Sequence, residues 1–231
     1  MTRLKLGAFQ ETIGVQFIEH ALLEQALTHR SYLNENSTTK RGHNERLEFL
    51  GDAVLELIVT DYLFQEYPKK PEGELTNYRA ALVNSDMLAR VASELGVGDH
   101  VMLSKGEAKD KGRARGYILA NAFEAIIGAI YEDQGYDVAK GFVAKFLLPK
   151  MTEVIERKLW KDPKSAFQEA AQDKASVTPT YKVMEETGPD HDKRFVVGVF
   201  LEKELVASGH GASKQEAELN AARAGLEIKR W

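Results

Sequence analysis

The sequence predicts an all-α domain followed by a smaller α+β domain in the order α-β-β-β-α. Two observations carry that expectation. From Leu22 to about Lys158, apolar residues recur at helical spacing in long stretches. After a charged stretch that ends in LWKDPKS, three short strand candidates lie between the helix-like SAFQEAAQ and an alanine-rich segment. The boundary falls near residue 158, which gives expected domains of 1–158 and 159–231.

In the first domain Leu47, Leu50, Val54 and Leu57 follow a helix face, and Leu82, Leu88, Val91 and Leu95 predict another buried stripe. Loops are expected at residues 34–43 and 67–73, the second punctuated by Pro68 and Pro71. Segment 104–116, SKGEAKDKGRARG, is charged and glycine-rich and reads as a loop, either solvated or beside bound phosphate. A helix follows over residues 117–135. In the second domain Asp162 and Pro163 make a helix start. TYKVMEETG, KRFVVGVFL and KELVASGHG then read as strands, with turns at Gly188–Pro189 and near Glu202–Lys203. The last helix runs from Ser213 to about Ile228.

The 231 residues carry 31 Lys and Arg against 35 Asp and Glu, a formal charge of -4. With 43% hydrophobic residues the composition excludes disorder throughout. The absence of cysteine excludes disulfides, a thiol nucleophile and thiolate metal sites. The opening MTRLKLGAFQETIG has no apolar signal region and no later run is long enough to span a membrane, so a cytoplasmic protein without membrane association is expected.

The strongest chemical signal is NERLEFLGDAVL, residues 44–55. On a helix Glu45, Glu48 and Asp52 fall within about 60° of one another, on one narrow face. Three like charges repel there, and a hard cation would remove that repulsion. Oxygen-only ligands favour Mg²⁺, with Mn²⁺ as a substitute; the alternative is a solvated acidic surface. In the later helix Asn121 and Glu124 are polar positions within an apolar segment, placed to face the first cluster across a helix pair.

These stretches, with LTHRSY (27–32) and GELTNYRAALVNSDMLA (73–89), resemble the bacterial ribonuclease III family over essentially the whole chain. The resemblance implies an endonuclease specific for double-stranded RNA, a homodimer with two active sites in one valley, and a C-terminal double-stranded-RNA-binding domain. It implies no small-molecule organic cofactor. Products would carry 5′-phosphate and 3′-hydroxyl ends with two-nucleotide 3′ overhangs, and substrates would be ribosomal and messenger precursors. Carried over by motif, Glu45, Glu48, Asp52, Asn121 and Glu124 are catalytic. Glu48, Asp52, Asn121 and Glu124 hold metal, and Glu124 lies between attacking water and scissile phosphate.

The family's usual residue at position 121 is aspartate. Asparagine offers a neutral carbonyl oxygen but no charge and no base. Two readings follow: an active nuclease with a higher metal requirement, or a duplex-RNA-binding protein whose nuclease centre is attenuated by Asn121. Arg79 is a candidate for RNA or partner contact, while His29 reads as a structural histidine. In the small domain the resemblance places Ser165, Gln168 and Glu169 on a minor groove, His191 in a loop reaching the next one, and Lys214 at a helix start facing phosphate. Many relatives have a second lysine where this chain has Gln215. Residues 161–231 hold 11 Lys and Arg against 12 Asp and Glu, so recognition there must come from placement and not from bulk charge.

Overall fold

The computed structural model describes residues 3–36, 42–109, 112–189 and 193–231. The chain divides into two compact units, Met1–Trp160 and Lys161–Trp231. Among the described residues no helix is long and apolar enough to cross a membrane.

The first unit is helical: α1 (Arg3–Ile13), α2 (His20–Ala26), α3 (Arg30–Glu35), α4 (Glu45–Glu66), α5 (Glu72–Val83), α6 (Ser85–Glu94), α7 (Arg113–Gln134), α8 (Tyr136–Phe146) and α9 (Met151–Glu156). Its core forms where α4 crosses α7, with α2, α6 and α8 packed around the pair. Leu55, Ile58, Leu63, Phe123 and Ile126 are fully buried there, each contributing about 2–3 kcal/mol of apolar burial. Local chemistry sets the breaks. Asn84 ends α5 and caps α6 by accepting a hydrogen bond from Met87 N at 2.9 Å. Gly135, at φ +82°, stops α7 and turns the chain into α8. The Asp133 carboxylate near that end accepts from Ile18 N and Glu19 N, both at 2.8 Å, and ties down the approach to α2.

Two expectations need correction. The first concerns Leu57, expected in the buried stripe with Leu47, Leu50 and Val54, which is 57% exposed. Ten residues advance a helix by 1,000°, so Leu57 lies about 80° round from Leu47 and off the core. The second concerns segment 104–116, which is not one loop: a 3₁₀ turn occupies Glu107–Lys109 and α7 already begins at Arg113. Its basic start continues an apolar helix whose later turns decide the packing.

The second unit runs α10 (Pro163–Ala175), β1 (Thr180–Thr187), β2 (Arg194–Leu201), β3 (Glu204–Gly211) and α11 (Lys214–Lys229). Its sheet is antiparallel in the order β1-β2-β3. Asp162 caps α10 by accepting from Ser165 N at 2.8 Å, with Pro163 in the first turn. Ser213 caps α11 through Glu216 N at 3.1 Å, and the Glu216 carboxylate accepts from Ala212 N, a near capping box. The α11 alanines let the sheet come close: a Cβ on Gly211 would lie 2.5 Å from Ala217 N, and one on Gly209 would overlap Ala221 N. Phe167, Val199, Ala221 and Ala222 form the core, with Trp231 stacked on Phe167 at 5.5 Å.

Candidate functional site

The acidic residues are positioned by two glycines at the α4–α7 crossing. A Cβ on Gly51 would overlap the carbonyl oxygen of Glu124 and stand 2.8 Å from Gly128 N. A Cβ on Gly128 would overlap the carbonyl oxygen of Leu47 and stand 3.0 Å from Gly51 N. Only hydrogen at both positions lets the backbones approach so closely, and the approach brings Glu124 beside Glu48 and Asp52. These glycines were missed in the sequence, although a glycine inside an apolar helical stretch is itself a signal of close backbone approach.

Electrostatics record the convergence. The Glu124 carboxyl is pushed up to about 7, first by burial and then by the negative charges of Asp52 and Glu48. Burial and the charges of Glu45 and Asp52 also raise Glu48, while a hydrogen bond from the Asn121 side chain works the other way. Asn121 thus acts as a donor that partly relieves the cluster. Glu45 is the outlying member, on the exposed side of the first α4 turn. Arg30 Nη1 and His43 Nδ1 each lie 3.6 Å from its carboxylate.

The entry to α4 is held from the LTHRSY stretch. Asn44 N donates to Thr28 O at 2.9 Å, and Gln25 Nε2 donates to His43 O at 3.1 Å. Asn44 is 1% exposed, and its Nδ2 has no hydrogen-bond partner among the described residues. His29 caps α3, its Nδ1 accepting from Ser31 N, which is a structural role. Arg79 is engaged within the unit, with Nε 2.8 Å from Glu56 and Nη1 donating to Thr60 Oγ1 at 2.9 Å.

Among the described residues no three His, Asp or Glu side chains form a ready-made ion cage. The donor set nonetheless fits a hard divalent cation. It is all oxygen, its carboxylates resist ionising together, and Mg²⁺ binds through one or two carboxylates while keeping several waters.

In the second unit Ser165, Gln168 and Glu169 share one face of α10, lining an open depression of about 630 Å³ with Gln172 and Asp173. Lys214 opens α11, its Nζ 5.6 Å from the centre of the Phe195 ring and 3.8 Å from the Glu186 carboxylate. His191 lies outside the described residues.

Comparison with known proteins agrees with both units. Residues 19–151 match the ribonuclease-III-like family model and residues 163–229 the double-stranded RNA binding motif. A Ribonuclease 3 of Pelotomaculum thermopropionicum is 45% identical over 222 residues, covering 96% of this chain and 92% of that protein. A Ribonuclease 3 of Bacillus cytotoxicus is 47% identical over 219 residues, covering 95% and 89%. A Campylobacter jejuni ribonuclease III nuclease domain, described as flexible in a region involved in dimer formation, is 40% identical with a TM-score of 0.56, covering 61% of this chain and 96% of that one. The chain belongs to the ribonuclease III family of endoribonucleases.

Proposed function

We propose that this chain is a divalent-metal-dependent endonuclease of double-stranded RNA that works as a homodimer and processes structured ribosomal and messenger precursors in the cytoplasm. The observation that carries the reading is the meeting of Glu48, Asp52, Asn121 and Glu124 across the α4–α7 crossing. Glu48, Asp52, Asn121 and Glu124 would hold Mg²⁺, or Mn²⁺ in its place. When bound, such ions neutralise charge on the phosphate and make water a better nucleophile.

The chain's own groups have separate tasks. Glu124, half-buried and pushed up to about 7 by burial and the charges of Asp52 and Glu48, orients the attacking water. Asn121 holds the Glu48 carboxylate through its amide. Glu45, flanked by Arg30 and His43, orients a water or a neighbouring side chain at the rim. In the second unit the α10 face with Ser165, Gln168 and Glu169 meets a minor groove, His191 reaches the next, and Lys214 meets phosphate. Products like the family's would carry 5′-phosphate and 3′-hydroxyl ends, and two-nucleotide 3′ overhangs follow from paired sites offset between strands.

An exposed apolar face on α4 supports the homodimer. Phe49 is 81% exposed, Leu57 57% and Phe64 71%, all within about 80° of azimuth. Large apolar residues grouped on one face mark an interaction surface. Arg79 pairs with Glu56 beside this same helix and serves RNA or partner contact from there.

The test is cleavage of an end-labelled RNA duplex of about 30 base pairs across a Mg²⁺ titration, with Asn121→Asp in parallel. Both forms should cut, the aspartate form at lower Mg²⁺. Cutting only by Asn121→Asp would establish the second reading, a duplex-RNA-binding protein with an attenuated centre, which the missing charge at Asn121 favours. Cutting by neither form would end the nuclease proposal.

A further inference from the structure

We propose that Glu186 is a built-in competitor for RNA phosphate: its carboxylate occupies the two lysines at one end of the small domain and holds duplex affinity down. The inference rests on the reading of Lys214 as a phosphate contact.

Sheet register places the group. Glu186 on β1 lies directly across from Phe195 on β2, and cross-strand partners project to the same face. Phe195 is buried on the helix side, where its ring lies under Lys214 Nζ. Glu186 therefore rises beside the start of α11, on the side where phosphate is expected. There Lys193 Nζ donates to its Oε1 at 2.9 Å, and Lys214 Nζ lies 3.8 Å from Oε2. The two oxygens face two ammonium groups much as two phosphate oxygens would. Both lysines hold the carboxylate below its usual range, so it stays charged at neutral pH.

The consequence is competitive. A phosphate approaching Lys214 meets a net charge near +1 across these three side chains instead of +2. Exposed ion pairs are weak, so Glu186 does not lock the lysines away; RNA displaces it at a modest loss of affinity. In a unit with no surplus of positive charge, a carboxylate here limits binding to polyanions that lack the remaining duplex contacts.

The test is fluorescence anisotropy with the full chain, a labelled RNA duplex, EDTA to prevent cleavage, and a range of salt. Glu186→Gln should bind about two- to fivefold more tightly at low salt, with a salt dependence steeper by up to about one unit. Lys214→Ala should bind more weakly, and Glu186→Gln should give a smaller gain in that background. Unchanged or weaker binding by Glu186→Gln, while Lys214→Ala weakens binding, would overturn the competitor role and leave the Lys214 reading intact. Full affinity in Lys214→Ala would overturn both. Thermal melts matching the parent chain keep misfolding from imitating either result, and Lys193→Met, which removes the other ammonium and keeps the stem, should bind more weakly than the parent.

Discussion

The Gly51 backbone rests directly against the Glu124 carbonyl, so that a single added methyl would overlap that oxygen. Both partners are backbone and cannot swing aside like a side-chain tip. Gly51→Ala should therefore force α4 and α7 apart, destabilising the first unit by about 2–3 kcal/mol. Activity should fall further than folded fraction, because Glu124 moves away from Glu48 and Asp52. Gly141→Ala in α8 is the control: nothing lies within 4 Å of its Cβ, and a helical Gly→Ala change there should stabilise by about 0.5–1 kcal/mol. Thermal melts and cleavage rates of the two variants check this, and equal stability of both would refute the crossing as the constraint.

Glu124 gives a pH dependence of definite sign. Its carboxyl titrates at about 7 in the folded chain against an ordinary 4.5. Between those values the native state holds more protons than the unfolded one, so this group's contribution to stability falls as pH rises through the window. Glu124→Gln, a neutral isostere, should raise stability in EDTA at pH 8, by on the order of 1–2 kcal/mol once screening at this partly exposed site is allowed for. Near pH 4.5 the substitution should have little effect. Mg²⁺ at pH 8 should stabilise the parent chain more than the variant. A substitution effect independent of pH would show that Glu124 ionises freely.

The exposed α4 face puts the proposed homodimer to a direct test. Phe49→Asp puts a charge at one end of an apolar surface without touching the buried side of the helix. The variant should sediment as a monomer with a melting temperature that no longer depends on protein concentration. Its cleavage of duplex should drop at least tenfold. A fully active dimer of Phe49→Asp would exclude this face as the interface.

The acidic face of α4 was legible because helical periodicity alone fixes the relative azimuth of Glu45, Glu48 and Asp52. Asn121 and Glu124 were legible because polar groups in an apolar stretch need a reason to be there. What one strand of sequence does not show is which helix comes close to which. Gly51 and Gly128 acquire meaning only when each meets the other's backbone. The exposure of Leu57 was hidden for a related reason, since an i, i+3, i+7, i+10 spacing drifts round the helix and the tenth residue leaves the core. In the small domain the turns carried their own chemistry, with Asp162 and Ser213 capping where their types predict. The pairing of Glu186 with Lys193 and Lys214 depends on sheet register and on the approach of α11, which local pattern does not specify.

The α10 face and Lys214 should respond differently to substitution because they use different chemistry. Gln168 and Glu169 line a polar depression on a helix; Gln168 offers a neutral donor and acceptor and Glu169 a charged acceptor, both suited to 2′-hydroxyls and base edges. Gln168→Ala removes hydrogen bonds but no charge, so duplex RNA affinity should fall by about 1 kcal/mol, roughly fivefold, with an unchanged salt slope. Discrimination against a DNA duplex of the same sequence should fall with it, since the 2′-hydroxyl is the group lost from the readout. Lys214→Ala should instead weaken RNA and DNA duplexes alike and flatten the salt slope by about one unit. Anisotropy titrations of both variants on both duplexes at several salt concentrations decide the matter. A changed salt slope in Gln168→Ala, or an RNA-selective loss in Lys214→Ala, would reverse the assignment of minor-groove and phosphate contacts.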